Sequence, residues 1–267
     1  MTDLRKYTGT GVFGLAYAVM LARDCHAPGS VDRVLVDRMV LVCPRTADYL
    51  YSQFTPAAVE YERGSRDELE RYVDRATARC ASQVESVAGI ARFCRDLGRG
   101  VSGDLDTMRI GGTEEQIIAR GSDWCTDVAR VGCILYQVAG LPARLVFLAD
   151  TARAYSGHAI VEVYRDERWG AVDTSTAVVY TGDDGRPATT WRLMNDPSLI
   201  QANAVEGACY STPGQFRSAA IANYFVGSHG GCDYTVTGLD AYYRSILEQS
   251  DKGWPGGLRW LHGEERR

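Results

Sequence analysis

Residues 122–180 constrain the fold of this chain more than any other stretch, because a helical pattern there gives way to the two-residue period of strands. Ser122 or Asp123 can cap a helix that runs to about Ala139 and stops at Gly140, ahead of Pro142. Residues 144–148 form a short apolar run. Ala159, Val161 and Val163 then alternate with Ile160, Glu162 and Tyr164, Asp166 and Glu167 make a turn, and 169–172 begin a return strand. Strands joined this closely pair antiparallel. The expectation is an α+β fold with the helix packed on an antiparallel sheet.

The flanks are read more coarsely. Residues 31–42, rich in valine and leucine, contain a strand ending at Pro44. Residues 67–97 are helical, as two helices broken near Gly89, with Leu69, Tyr72, Val73, Ala76 and Cys80 at helical spacing. Residues 98–112 read as a loop, after which Thr113 caps a short helix with Glu115 and Gln116 in its first turn. A strand at 178–180 reaches a turn at Asp183, Asp184 and Gly185. Short helices and loops follow, with a helix over 239–249. A chain of 267 residues is one large domain or a core with added lobes. The division expected is an N-terminal extension over 1–65, a core over 66–180 and a C-terminal extension over 181–267 that contributes to a substrate pocket.

Charge excludes one class of partner. With 34 acidic against 29 basic residues the net charge is −5, without the basic footprint that nucleic-acid binding needs. The eight cysteines are scattered, with no CxxC pair, and read as reduced and mostly buried thiols. The apolar run 12–22 follows Arg5 and Lys6 but is too short to cross a bilayer, and Arg23 and Asp24 stand where a signal cleavage site would lie. A cytoplasmic protein with no membrane partner is expected.

Three residues in the central segment carry chemistry. Cys125 falls in the first turn of its helix, where unpaired N–H groups and the helix dipole favour an anion and can hold the oxyanion of a tetrahedral intermediate. His158, after Gly157, opens an alternating strand, and Asp173 ends the next one, so a hairpin can bring imidazole and carboxylate together. Each has a plainer reading: a buried core thiol, a satisfied core histidine, an aspartate capping a turn. Together they suit a thiolate, a general base and the carboxylate that orients the base. Trp124, beside Cys125, is a candidate for the acyl pocket or for oxyanion binding through its indole N–H, or else simple packing.

This segment resembles the catalytic core of the transglutaminase-like superfamily. The likeness runs over 87–180: AGIARFCRDLGRG resembles the helix preceding that core, GSDWC its nucleophile turn, and VAGLPARLV its Gly-x-Pro-Ala-Arg passage. The resemblance implies a papain-like fold and a cysteine-nucleophile acyl-transfer enzyme with Cys125 as nucleophile, His158 as base and Asp173 as orienting acid. The family's histidine is often followed by an aromatic residue, whereas Ala159 and Ile160 follow here. The implied partners are a small-molecule or peptide acyl donor, free or carrier-bound, and an amine or water as acceptor, with no cofactor and no metal. A non-catalytic binding module on the same fold is the alternative, and its signature, loss of one of the three residues, is absent.

Other signals are weaker. Gly9, Gly11 and Gly14 match GxGxxG but lack the preceding buried strand of a dinucleotide site. His229 and Cys232 in SHGGC have no second pair of metal ligands. The Asp183–Asp184–Gly185 run reads as a hairpin turn, since the ligand series of a calcium loop is missing. Cys133, eight residues past Cys125, reads as core.

Overall fold

The computed structural model describes residues 39–42, 44, 47, 50–51, 61–99, 109–110, 112–149, 157–205, 212–222 and 234–235. The expectations for Gly9, Gly11 and Gly14, for 12–22, His229, Cys232 and 239–249 lie outside them. In chain order the elements are β1 (Met39–Leu41), α1 (Asp67–Thr77), α2 (Gln83–Asp96), β2 (Arg109–Ile110), α3 (Glu114–Arg120) and α4 (Cys125–Val138). There follow β3 (Ala143–Ala149), β4 (Gly157–Arg165), β5 (Arg168–Asp173), β6 (Val178–Val179), α5 (Thr190–Asn195), α6 (Ser198–Ala202), a 3-10 turn at Gln215–Arg217, β7 (Ser218–Ala222) and β8 (Tyr234–Thr235). Six strands form one sheet in the order β1-β7-β3-β4-β5-β6, every neighbouring pair antiparallel, and β2 pairs separately with β8. The α+β class and the antiparallel sheet agree with expectation.

The β4–β5 hairpin closes at Asp166 and Glu167, both at positive φ (52° and 61°). Two successive left-handed residues make the turn whose twist matches that of paired strands, which fixes the register at Arg165↔Arg168 and Val161↔Val172. The sheet is buried on both faces. Leu145, Phe147, Val161 and Val163 meet Val128, Val131, Ile134 and Leu135 of α4 on one side. Val146, Leu148 and Ile160 meet Tyr180, Leu193 and Phe216 on the other. Two covered faces are why the β3 segment ARLVFLA is apolar nearly throughout rather than alternating.

Three local expectations are corrected. The helical region breaks at 78–82, where the Ser82 hydroxyl caps α2 by accepting from the Glu85 N–H, and not at Gly89. Gly89 lies inside α2, where a Cβ would come within 2.5 Å of the Ala76 carbonyl oxygen, so its role is to let α1 and α2 approach. Within the stretch read as a loop, Arg109–Ile110 form β2. The central strand β7, of sequence SAAIA, was read as part of the loops and short helices. Alanine and serine have low strand propensity, and only insertion between β1 and β3 makes this segment a strand. The Thr113 cap is present, as a full capping box with Gln116. No helix among the described residues is long and apolar enough to cross a membrane.

Gly132 on α4 shows how tightly helix and sheet are set. A Cβ there would lie 2.6 Å from Thr174 Cγ2, on the turn after Asp173. Gly132→Ala is expected to destabilise by about 1–3 kcal/mol through overpacking, despite alanine's better helix propensity. Urea denaturation would check this, and a stabilised variant would refute the close contact.

On the sheet face away from α4, Arg144 and Glu162 stand opposite each other in the β3–β4 register and are 1% and 0% exposed. Arg144 Nε donates to Glu162 Oε2 at 2.8 Å, and the guanidinium lies 3.9 Å from the Trp169 ring centroid. The other carboxylate oxygen accepts from Tyr51 Oη at 2.9 Å and from the Thr190 N–H at 2.7 Å. This buried pair therefore ties β3, β4 and the start of α5 to Tyr51 from the N-terminal flank.

Candidate active site

Cys125 is the first residue of α4 and half-buried, with Trp124 as the N-cap residue. The expected cap by Ser122 or Asp123 does not form. Trp124 has no side-chain capping bond, and Asp123 is exposed. Ser122 is buried one step earlier, its hydroxyl accepting the Trp124 backbone N–H at 3.2 Å. The turn is also held from α2, since the Ser122 N–H donates to the Leu97 carbonyl at 3.2 Å. Gly98 closes on it, where a Cβ would be 3.3 Å from Asp123 Cβ. Cys125 thus enters the helix among the N–H groups that have no acceptor within it.

His158 lies at the start of β4 and Asp173 at the end of β5, and both are buried. His158 Nε2 is 2.9 Å from Asp173 Oδ2. The other carboxylate oxygen accepts the backbone N–H of Ser175 at 2.9 Å and of Thr176 at 3.3 Å, so the turn after β5 fixes the carboxylate before it meets the imidazole. Cys125 is the other group that acts on the His158 ring, near enough to help raise its pKa. His158 and Asp173 are thus brought together. By alternation His158 shares a side with Ile160 and Glu162, the side facing away from the α4 core. Cys125, at the head of α4, nevertheless acts on the charge of the ring.

The electrostatics favour a charged ring. Burial alone would push the His158 imidazole down, but the Asp173 carboxylate, through charge and hydrogen bond, and then Cys125 outweigh it and hold the pKa up at about 10. Among the other described cysteines, Cys80 is likewise half-buried. Cys94 and Cys133 are fully buried, and burial pushes both thiols well above their usual range, as suits core residues.

Sequence reasoning missed a charged network beneath Cys125. Asp127, buried in the first turn of α4, accepts from Arg120 at 2.9 Å and from the Ser122 hydroxyl at 3.3 Å. Its other oxygen is 3.7 Å from Arg130, which is buried and bonds the Gly112 carbonyl at 2.7 Å and Glu114 at 3.3 Å. Glu114 in turn takes Arg66 at 2.8 Å. The visible signal was an aspartate two residues after the cysteine. Its (i, i+3) pairing with Arg130 looks like an ordinary surface pair until α3 covers it.

A cleft of about 380 Å³ lies among Tyr61, Arg63, Glu70, Gln83, Val138 and Gly140, at the opposite end of α4. A 14-residue helix separates it from Cys125 by about 20 Å, which makes it no place for a group bound to that sulfur. Asp184 accepts from the Arg186 N–H at 3.1 Å and from Arg192 at 3.3 Å, in keeping with a hairpin turn. No cluster of metal-ligating side chains occurs among the described residues.

Residues 70–174 match the model of the Transglutaminase-like superfamily, so the segment from within α1 to just past Asp173 is similar to that superfamily. Its members are in general cysteine enzymes, although some are not catalytic. No curated protein and no solved structure gives a significant match to the chain.

Proposed function

We propose that this protein is a cysteine-nucleophile acyl-transfer enzyme, with Cys125 as nucleophile, His158 as general acid and base, and Asp173 as the carboxylate that orients the imidazole. The observation that carries the reading is the buried His158 ring 2.9 Å from Asp173, with Cys125 near enough to help hold its pKa up. In this mechanism the Cys125 sulfur adds to the carbonyl carbon of an amide or thioester, and the C–S bond forms as the carbonyl π pair moves to oxygen. First-turn N–H groups of α4 offset the charge on that oxygen. Collapse re-forms the carbonyl and expels an amine or thiol, which takes the proton from His158 Nδ1. The neutral imidazole then removes a proton from an attacking water or amine, and the Cys125 thiolate departs. Throughout, Asp173 retains the Nε2–H and so fixes which nitrogen exchanges protons.

The acyl donor proposed is a small molecule or peptide, free or carrier-bound, enclosed in part by 181–267, with bulk protein crosslinking outside the reading. Enclosure limits water and favours a bound amine where one is supplied. The expected result is stoichiometric labelling of Cys125 by an acyl thioester or peptide amide, lost in His158→Ala, with Cys125 alkylating fastest of the eight cysteines near neutral pH. Partition of the trapped acyl-enzyme between free acid and amide, as amines are added, then separates hydrolase from transferase. Equal labelling of several cysteines, indifferent to His158, would leave the non-catalytic binding module as the better reading.

A further inference from the structure

The hydrogen bonds beneath Cys125 assign a task to two residues outside the Cys125–His158–Asp173 set, and this inference rests on the acyl-transfer reading above. At the head of α4 the N–H groups of Trp124 and Cys125 are adjacent. The Trp124 N–H is taken by the Ser122 hydroxyl at 3.2 Å, and that hydroxyl spends its own proton on Asp127 Oδ2 at 3.3 Å. A hydroxyl has one proton, so the Asp127 carboxylate decides its direction and leaves the oxygen's lone pairs to the backbone. Asp127 is in turn anchored by Arg120 at 2.9 Å and by Arg130, itself pinned to the Gly112 carbonyl at 2.7 Å. Both Ser122 and Asp127 are buried, so water does not compete for this relay.

We propose that Asp127 is a positioning residue of the acyl-transfer site, acting through Ser122. The relay draws the Trp124 N–H inward and leaves the Cys125 N–H among the first-turn donors for the oxyanion. The two arginines offset the carboxylate, which would otherwise place a negative charge two residues from a thiolate in the same turn. A relay with this task matters for attack on a carbonyl, where charge develops on oxygen. It matters little for alkylation, where no oxyanion forms.

The test compares the two chemistries on the full chain, with S-phenyl thioacetate as acyl probe, read by thiophenolate release, and iodoacetamide as alkylating probe. Ser122→Ala is expected to slow acylation of Cys125 by about tenfold or more while changing its alkylation by less than about twofold. Ser122→Thr, which keeps the hydroxyl, should restore most of the acylation rate. Asp127→Asn, milder than alanine beside buried arginines, should show the same split, and the double variant should be no slower than the slower single, because both act through one relay. Acylation by Ser122→Ala at the wild-type rate would overturn the proposal. So would equal loss of both rates, which marks a structural effect alone, and so would additive losses in the double variant. Wild-type protein that alkylates at Cys125 but is not acylated there would instead remove the acyl-transfer reading itself.

Discussion

Replacing His158 by alanine is expected to slow acylation of Cys125 by roughly 10²–10⁴-fold, the usual contribution of a positioned acid and base. Under the proposed mechanism the change removes the proton donor to the leaving group and also the cation beside the sulfur. His158→Gln separates the consequences for folding, because it keeps a polar side chain within reach of Asp173. Since the folded-state pKa of His158 is raised, from 6.5 to about 10, the imidazolium adds stability that is fully present below about pH 6.5. That contribution is lost as pH rises through about 10. The thermal midpoint of the wild type should therefore fall between pH 6.5 and 10 relative to His158→Gln. Parallel melting curves for the two proteins across this window would show that the ring is not charged in the folded state.

Glu162→Ala is expected to destabilise the fold by about 3–5 kcal/mol, since it strands the buried Arg144 guanidinium. At this chain length that is a drop of roughly 10 °C in melting temperature. The same change removes the acceptor for Tyr51 and for the N–H that opens α5, so the sheet face away from α4 should loosen first. Hydrogen exchange would locate the effect, with early loss of protection at 190–195 and retained protection in α4. A variant as stable as the wild type would show that the pair contributes specificity rather than stability. Replacing Arg144 and Glu162 together with apolar residues should cost less than either single change, because no buried charge is then left alone.

The legibility of the sequence followed the range of the interactions involved. The capping box at Thr113, the stop at Gly140 and the two-residue hairpin at Asp166 and Glu167 are set by neighbours a few positions away, and each is found where the pattern put it. Cys125 at the start of α4, and His158 and Asp173 on hairpin-linked strands, were legible for the same reason, because helix starts and strand alternation are local properties. Where a glycine had two readings, the sequence misled. Gly89 looked like a helix break but serves a close crossing with α1, which only the packed pair of helices reveals. The SAAIA strand was invisible because, Ile221 apart, its residues have little strand preference of their own and become a strand only between β1 and β3.

The sequence by itself thus determined the helices and the β3–β4–β5 strands around the site, their order and the three chemically suited side chains, since each depends on periodicity and turn chemistry within a short window. Only the tertiary structure decided that His158, at the start of β4, comes within electrostatic reach of Cys125 although strand alternation aims it away from the α4 core. Tertiary packing also decided that Asp127 and Arg130 are buried together, with Arg120 reaching Asp127 from the surface, and do not form a solvated helix face. The physical reason is burial. A charge pair at (i, i+3) has the same spacing whether water or α3 covers it, and nothing within the helix records which of the two does.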